Sequence, residues 1–197
     1  MINTFIRFFF VAIGAMFFQN FLLLHGFGAE RILIKQSPQQ VLRLGGTLTL
    51  VTVFSGILFW LINPILISLP LARYLRALTF VLCILVTYLI ISFLGRKFSG
   101  KWFLPLGKNL TISASSCVVL GALLVASNNN MNLWNTIAMG LGANIGYVLA
   151  LLVVTEGRDR LALLDVPKLF RGLPITLLYL GLLSLAICGL MGHQLPM

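Results

Sequence analysis

Carboxylates are nearly absent from this chain: Asp and Glu together number 4 in 197 residues, and charged residues of both signs make up 9%. A water-soluble domain covers its surface with roughly a quarter charged residues. Most of the outside of this protein must therefore face something apolar. The shortage also removes whole classes of chemistry. No paired carboxylate, Ser/His/Asp set or phosphate-cradling glycine loop falls within an apolar run, so the residues do not describe a self-sufficient catalyst. Cysteine is scarce too. Cys83, Cys117 and Cys188 are too far apart for a zinc motif. As three thiols inside apolar runs they define no disulfide framework and are expected to be buried. The alternation of a membrane β-barrel is missing, because the apolar runs are apolar on every side.

What is abundant is hydrocarbon: 59% of residues are hydrophobic and the mean hydropathy is +1.04. Apolar runs of about 20 residues recur, each long enough to cross ~30 Å of bilayer as a helix. Six spans are expected, at about 5–24, 44–62, 75–94, 109–126, 133–155 and 173–192. Pro, Gly, Asn and charged residues punctuate the gaps, as in "QSPQQ", "SNNNMN" and "EGRDRLALLDVPKLFRG". The first run is too long for the h-region of a signal peptide and lacks an A-x-A site, so it is read as a span. No soluble domain fits between the spans, and residues 1–197 are read as one membrane-embedded domain.

Net charge is +10, yet the basic residues lie singly or in pairs between spans. That pattern sets topology and does not mark a nucleic-acid site. Arg7, Arg73 and Arg76 fall on the side of the N-terminus and the second connection, while the other 11 of the 14 Lys and Arg fall in the first, third and fifth connections. Short basic loops stay in the cytoplasm, which puts both termini outside the inner membrane. Six spans divide into two three-helix halves, about 1–98 and 99–197, which an odd number of spans per half makes inverted. The opening spans of the halves, one and four, are the most polar and interrupted. In inverted-repeat membrane proteins, broken helices at matching positions mark the functional midplane. The fold class is thus an all-α integral membrane protein with six transmembrane helices and interrupted first and fourth spans.

Several polar residues inside these runs invite a functional reading, each beside a plainer one. Span one, "QNFLLLHGFGAERILIK", carries Asn20 within greasy sequence, then breaks at Gly26 and Gly28. His25 is a candidate proton carrier or metal ligand, or an interfacial hydrogen-bonding group. Span four, "NLTISASSCVVLGALLVAS", gathers Thr111, Ser113, Ser115, Ser116 and Cys117, whose plain reading is a close-packing face. Span five holds Gly142 and Gly146 spaced as GxxxG around Asn144, whose plain reading is a tight helix contact with one interhelical amide bond. Glu30 with Arg31, and Glu156 and Asp159 with Arg158 and Arg160, read as solvated pairs at the cytoplasmic surface.

The stretch "GRDRLALLDVPKLFRGLPITLLYLGLLSLAICGL", residues 157–190, resembles the end of the Rnf/Nqr membrane subunits, most like the RnfA (NqrE-like) branch. "SSCVVLGALL" is similar to that family's fourth-span motif N-C-A-V-L-G, "MGLGANIGY" to its fifth span, and "QNFLLL" to its N-N-F-V-L opening. The resemblance implies a membrane subunit of an ion-translocating electron-transport complex that couples redox chemistry to Na⁺ or H⁺ movement. It implies a homologous partner of opposite orientation, of the RnfE or NqrD type, together with other complex subunits. It also implies an iron–sulfur cluster shared with that partner, with Cys117 at one ligand position. The family's first half-helix ends F-L-G-x-C-P-F, and here Gly28 matches the glycine while Glu30 occupies the cysteine position. The cluster is therefore altered, with Glu30 or His25 in place of a thiolate, or absent. Asn20, Gly26, Gly28, Ser116 and Asn144 are the candidate structural or ion-path residues. Two other readings stay open: a stand-alone small-solute or ion transporter on the same inverted repeat, and a non-redox assembly subunit.

Overall fold

The computed structural model describes residues 2–17, 20–32, 34, 37–67, 72–98, 103–129, 131–161, 163, 167 and 170–191. The described residues form helices α1 (Ile2–Phe17), α2 (Phe21–His25), α3 (Pro38–Ile67), α4 (Ala72–Phe98), α5 (Phe103–Ala114), α6 (Cys117–Asn128), α7 (Leu133–Leu161) and α8 (Leu173–Met191). A single 3₁₀ turn, Ala29–Arg31, follows α2. Three of these helices contain stretches long and apolar enough to cross a membrane: Pro38–Asn63, Arg76–Gly95 and Leu133–Leu161. Ile6–Phe17, Cys117–Asn128 and Leu173–Gly189 are shorter apolar helices.

Local sequence explains several boundaries. In "SPQQ", Pro38 takes the first helical position of α3, where a missing N–H costs nothing. Gln40 Oε1 reaches back to accept from the Ser37 N–H at 3.1 Å, one half of a capping box. The two expected spans that read as interrupted are each divided in two. Span one becomes α1 and α2, and span four becomes α5 and α6. The division of span one is marked by Asn20, not by the glycines: Asn20 is extended and caps α2, and Gly26 ends that helix. Span two is longer than expected from hydropathy, because the polar first turns of α3 are helical as well. Residues 68–71 and 99–102, and most of 162–169 with the D-V-P loop, lie outside the described residues.

α7 is the central helix. It packs against α1, α2, α3, α6 and α8. Its small residues let backbones approach: Gly142 lies against the Ala12 carbonyl and Gly146 against the Met16 carbonyl, so a Cβ at either glycine would collide with the α1 backbone. On another face of α7, Gly140 packs on the Thr52 side chain of α3. Hydroxyls that would be costly in hydrocarbon are returned to their own helix. Thr52 Oγ1 donates to the Leu48 carbonyl at 2.8 Å and Ser55 Oγ to the Val51 carbonyl at 2.6 Å. The outer surface is the reverse of a soluble protein's: Leu78, Leu85, Leu89 and Phe93 of α4 are more than half exposed. A continuous apolar exterior of this kind has a bilayer as its solvent.

Candidate functional site at the two helix breaks

Asn20 has an extended backbone (φ −65°, ψ 107°) and caps α2. Its Oδ1 accepts from the N–H groups of Leu22 and Leu23 at 3.2 and 3.3 Å. Its Nδ2 donates to the Gly146 carbonyl of α7 at 3.0 Å. An asparagine suits this place because its amide both accepts and donates. One end satisfies the freed donors of a helix start, and the other ties the break to the central helix.

α2 lasts 5 residues. Gly26 takes the left-handed conformation (φ 67°), its N–H donating to the Leu22 carbonyl at 3.1 Å while the Phe27 N–H donates to the Phe21 carbonyl at 2.9 Å. The bond from the Gly26 N–H to the Leu22 carbonyl makes this an αL ending, which favours glycine because it has no Cβ to clash. Gly28 is left-handed as well (φ 75°), and a Cβ there would meet the Tyr147 hydroxyl oxygen at 2.6 Å. The Tyr147 hydroxyl donates to the Gly28 carbonyl at 3.1 Å. Ser184 Oγ of α8 donates to the Leu23 carbonyl. Arg158, expected to pair with neighbouring carboxylates, donates from Nη1 to the Ile32 carbonyl at 2.5 Å. Sequence reasoning does not single out Tyr147, Ser184 or Arg158 as partners of the first break. The available signal is general: a buried Tyr hydroxyl needs an acceptor.

The second break is held more locally. Ser116 is extended (φ −78°, ψ 131°), and its Oγ accepts from the Val118 N–H at 3.3 Å to cap α6. Ser113 donates to the Asn109 carbonyl at 2.9 Å, and its Oγ lies 2.7 Å from Thr47 Oγ1 of α3. The two breaks are neighbours in space. A Cβ on Gly121 of α6 would meet the Phe27 ring at 2.6 Å and the Phe21 ring at 3.2 Å. Phe27 is stacked on Phe21 and on His25, with centroids 5.9 and 5.5 Å apart.

Asn144 sits near the middle of α7 with 0% exposure. Its Nδ2 donates to Thr52 Oγ1 at 3.0 Å and to the Gly140 carbonyl at 2.6 Å. Its Oδ1 is buried without a hydrogen-bond partner among the described residues. Such an oxygen costs about 1–3 kcal/mol unless a donor or cation reaches it.

The three thiols differ from the sequence expectation. Cys83 is buried, but Cys117 and Cys188 are exposed on the surface of the chain. Apolar runs do not distinguish a core face from a lipid-facing or partner-facing one, so sequence predicts burial for all three alike. Cys117 opens α6, His25 closes α2, and Glu30 lies in the 3₁₀ turn; the side chains of all three are exposed. Among the described residues no three His, Cys, Asp or Glu side chains are arranged to hold a metal. Cys117, His25 and Glu30 do not come together as such a group.

These features define a helical membrane protein with two adjacent interrupted helices fastened to a glycine-rich central helix. The chain belongs to the Rnf-Nqr family: residues 8–194 match the family model described as "Rnf-Nqr subunit, membrane protein". It is similar to the RnfA subunit of the ion-translocating oxidoreductase complex of Edwardsiella ictaluri, at 34% identity over 91% of this chain and 94% of that protein. The Sodalis glossinidius protein of the same description matches at the same identity and coverage. The corresponding subunit of the Na(+)-translocating ferredoxin:NAD(+) oxidoreductase complex of Acetobacterium woodii is 29% identical over 94% of this chain and 97% of that protein.

Proposed function

We propose that the chain is the RnfA-type membrane subunit of an ion-translocating electron-transport complex. It crosses the cytoplasmic (inner) membrane six times as two inverted halves, about 1–98 and 99–197, with both termini outside. Its partner is a homologous subunit of the RnfE or NqrD type in the opposite orientation. The observation that carries the reading is the pair of breaks. Each half opens on an interrupted helix whose second segment starts at a polar cap, Asn20 in one and Ser116 in the other. Interrupted helices at corresponding positions are how membrane transport proteins bring backbone oxygens to an ion at the midplane.

The residues of this chain support an ion path more directly than an electron relay. Asn20 and Ser116 place side-chain oxygens at the two breaks, and Asn144 adds a buried, unpartnered one in α7. Neutral oxygens of this kind replace the hydration shell of a small cation. A cluster held by thiolates from both breaks does not fit, because Glu30 stands where the family carries a cysteine and Cys117 is the one remaining thiol in a family ligand position. No electron step is assigned through such a group. His25 and Glu30 are the substitutes that an altered site would use, the imidazole being the better precedent.

Donor-driven Na⁺ or H⁺ uptake into inverted membrane vesicles tests the path. Asn20→Leu and Ser116→Val are expected to lower uptake several-fold while the complex still assembles and the homologous partner co-purifies. A functional homodimer with no homologous partner would overturn the reading in favour of a stand-alone transporter. Iron content and low-temperature EPR address the thiol separately. A reduced-state signal that disappears in Cys117→Ala assigns Cys117 as a ligand, and spectra unchanged by the substitution remove that assignment.

A further inference from the structure

Away from the breaks, an apolar groove of about 490 Å³ runs along the outer surface between α3 and α4. Phe54, Ile57 and Leu58 of α3 line one side, and Ile90, Leu94 and Gly95 of α4 the other. The polar side chain of Thr87, also in the lining, is turned away from it: Oγ1 donates to the Cys83 carbonyl at 2.8 Å. The groove therefore offers hydrocarbon contact and almost nothing else. It is open sideways, since Phe54, Ile90 and Leu94 are all close to half exposed.

Its ends are unlike. The α3–α4 hairpin is closed at one end by Phe59 against Phe80, with ring centroids 4.4 Å apart. On α4 the lining runs away from that contact, from Thr87 to Gly95, toward the last turn of the helix. Two exposed cations stand at that end, Arg43 from α3 and Lys97 from α4. Helical geometry puts both on the groove faces. Arg43 precedes Phe54 by 11 residues, three turns to within about 20°, and Lys97 follows Ile90 by 7, two turns to within about 20°. No Asp or Glu occurs between residues 31 and 155, so neither cation has a carboxylate nearby in sequence to neutralise it.

An apolar trough with two exposed cations toward one end has the chemistry of an amphiphile site: one acyl chain in the trough and an anionic head at its mouth. We infer that the α3–α4 groove binds an anionic phospholipid, with an acyl chain along Phe54, Ile57, Ile90 and Leu94 and the headgroup phosphate at Arg43 and Lys97. A zwitterionic lipid fits the trough equally well but brings its own cation to the mouth. Selectivity therefore comes from the two basic residues.

Native mass spectrometry of the full chain, released from vesicles of phosphatidylglycerol and phosphatidylcholine with identical acyl chains, tests the inference. Retention of one phosphatidylglycerol per chain is expected, preferred over phosphatidylcholine by roughly tenfold for two favourable cations. The double variant Arg43→Gln, Lys97→Gln should bring that preference close to one while keeping its helical content by circular dichroism. Leu94→Trp, or Gly95→Leu where the first does not fold, should reduce retention of both lipids by filling the trough. Glycerol phosphate, which has the head without the chain, should not compete. Equal retention of the two lipids by the unaltered chain, or an unchanged preference in the double variant, overturns the assignment. So does displacement of the lipid by the homologous subunit, which would make the groove a protein interface. The inference depends only on the chain being embedded in a membrane, and ion uptake is not one of its readouts.

Discussion

The two helix breaks solve the same problem with different means. Both expose the backbone donors of a new helix start in a setting where water is scarce, and both answer with a polar N-cap. At the first break, Asn20 satisfies two N–H groups and also reaches the Gly146 carbonyl, 126 residues away in sequence. Ser184 then bonds the Leu23 carbonyl of the short α2, and Tyr147 and Arg158 of α7 hold the segment that follows it, at Gly28 and Ile32. At the second break, Ser116 caps α6 with one bond to its own segment, and the nearest long-range tie is between the hydroxyls of Ser113 and Thr47. A five-residue helix cannot hold itself together, because nucleation is costly and few bonds repay it. The twelve-residue α6 has enough turns and buried side chains to need less help. The lesson is that the shorter the segment beyond a break, the more of its hydrogen bonding must come from elsewhere in the fold.

Substitutions can break that contrast. The largest effect is expected for Asn20→Leu, which removes a buried interhelical bond and a cap and leaves the Leu22 and Leu23 N–H groups without their acceptor. A loss of roughly 3 kcal/mol is expected in denaturant unfolding of the detergent-solubilised protein. Asn20→Ser should recover about 1 kcal/mol of it, since serine can cap but cannot reach α7. Gly28→Ala comes next, at about 2 kcal/mol, from a left-handed backbone and a Cβ pressed onto the Tyr147 ring. Combining it with Tyr147→Phe should recover little, because Phe keeps the ring and loses the bond to the Gly28 carbonyl. The smallest effect is expected for Ser116→Ala, about 0.5–1 kcal/mol, as befits a local cap. Equal losses for Asn20→Leu and Ser116→Ala in the same unfolding assay would erase the distinction between a cross-tied break and a self-sufficient one.

Much of this organisation is legible along the chain. The long runs in α3, α4 and α7 need only hydropathy and length. The interruption of the first and fourth runs is visible in their polar residues, and Gly26 and Gly28 do mark the end of α2. The position of the first interruption is not legible. Asn20 reads as an amide inside a helix, because neither hydropathy nor propensity distinguishes a mid-helix Asn from an Asn cap flanked by equally apolar residues. The GxxxG of Gly142 and Gly146 announces a close helix contact, and α1 supplies it through Ala12 and Met16. Its partner cannot be named from spacing. The exposure of Cys117 and Cys188 escapes sequence for a similar reason: in a membrane protein both the core and the exterior are apolar, so composition no longer separates inside from outside.

Residue order alone specifies a helical chain for a lipid solvent, where its long helices run, and that two of its apolar runs are interrupted. Those properties are local, set by the length of apolar stretches and by residues that cap or end helices. Folding alone settles that Asn20 holds α7, that Tyr147 clamps Gly28, that Asn144 keeps a buried oxygen unpartnered, and that α3 and α4 leave an apolar groove between them. Each depends on atoms brought together by folding from opposite ends of long helices, and no local signal encodes which helix will be the neighbour.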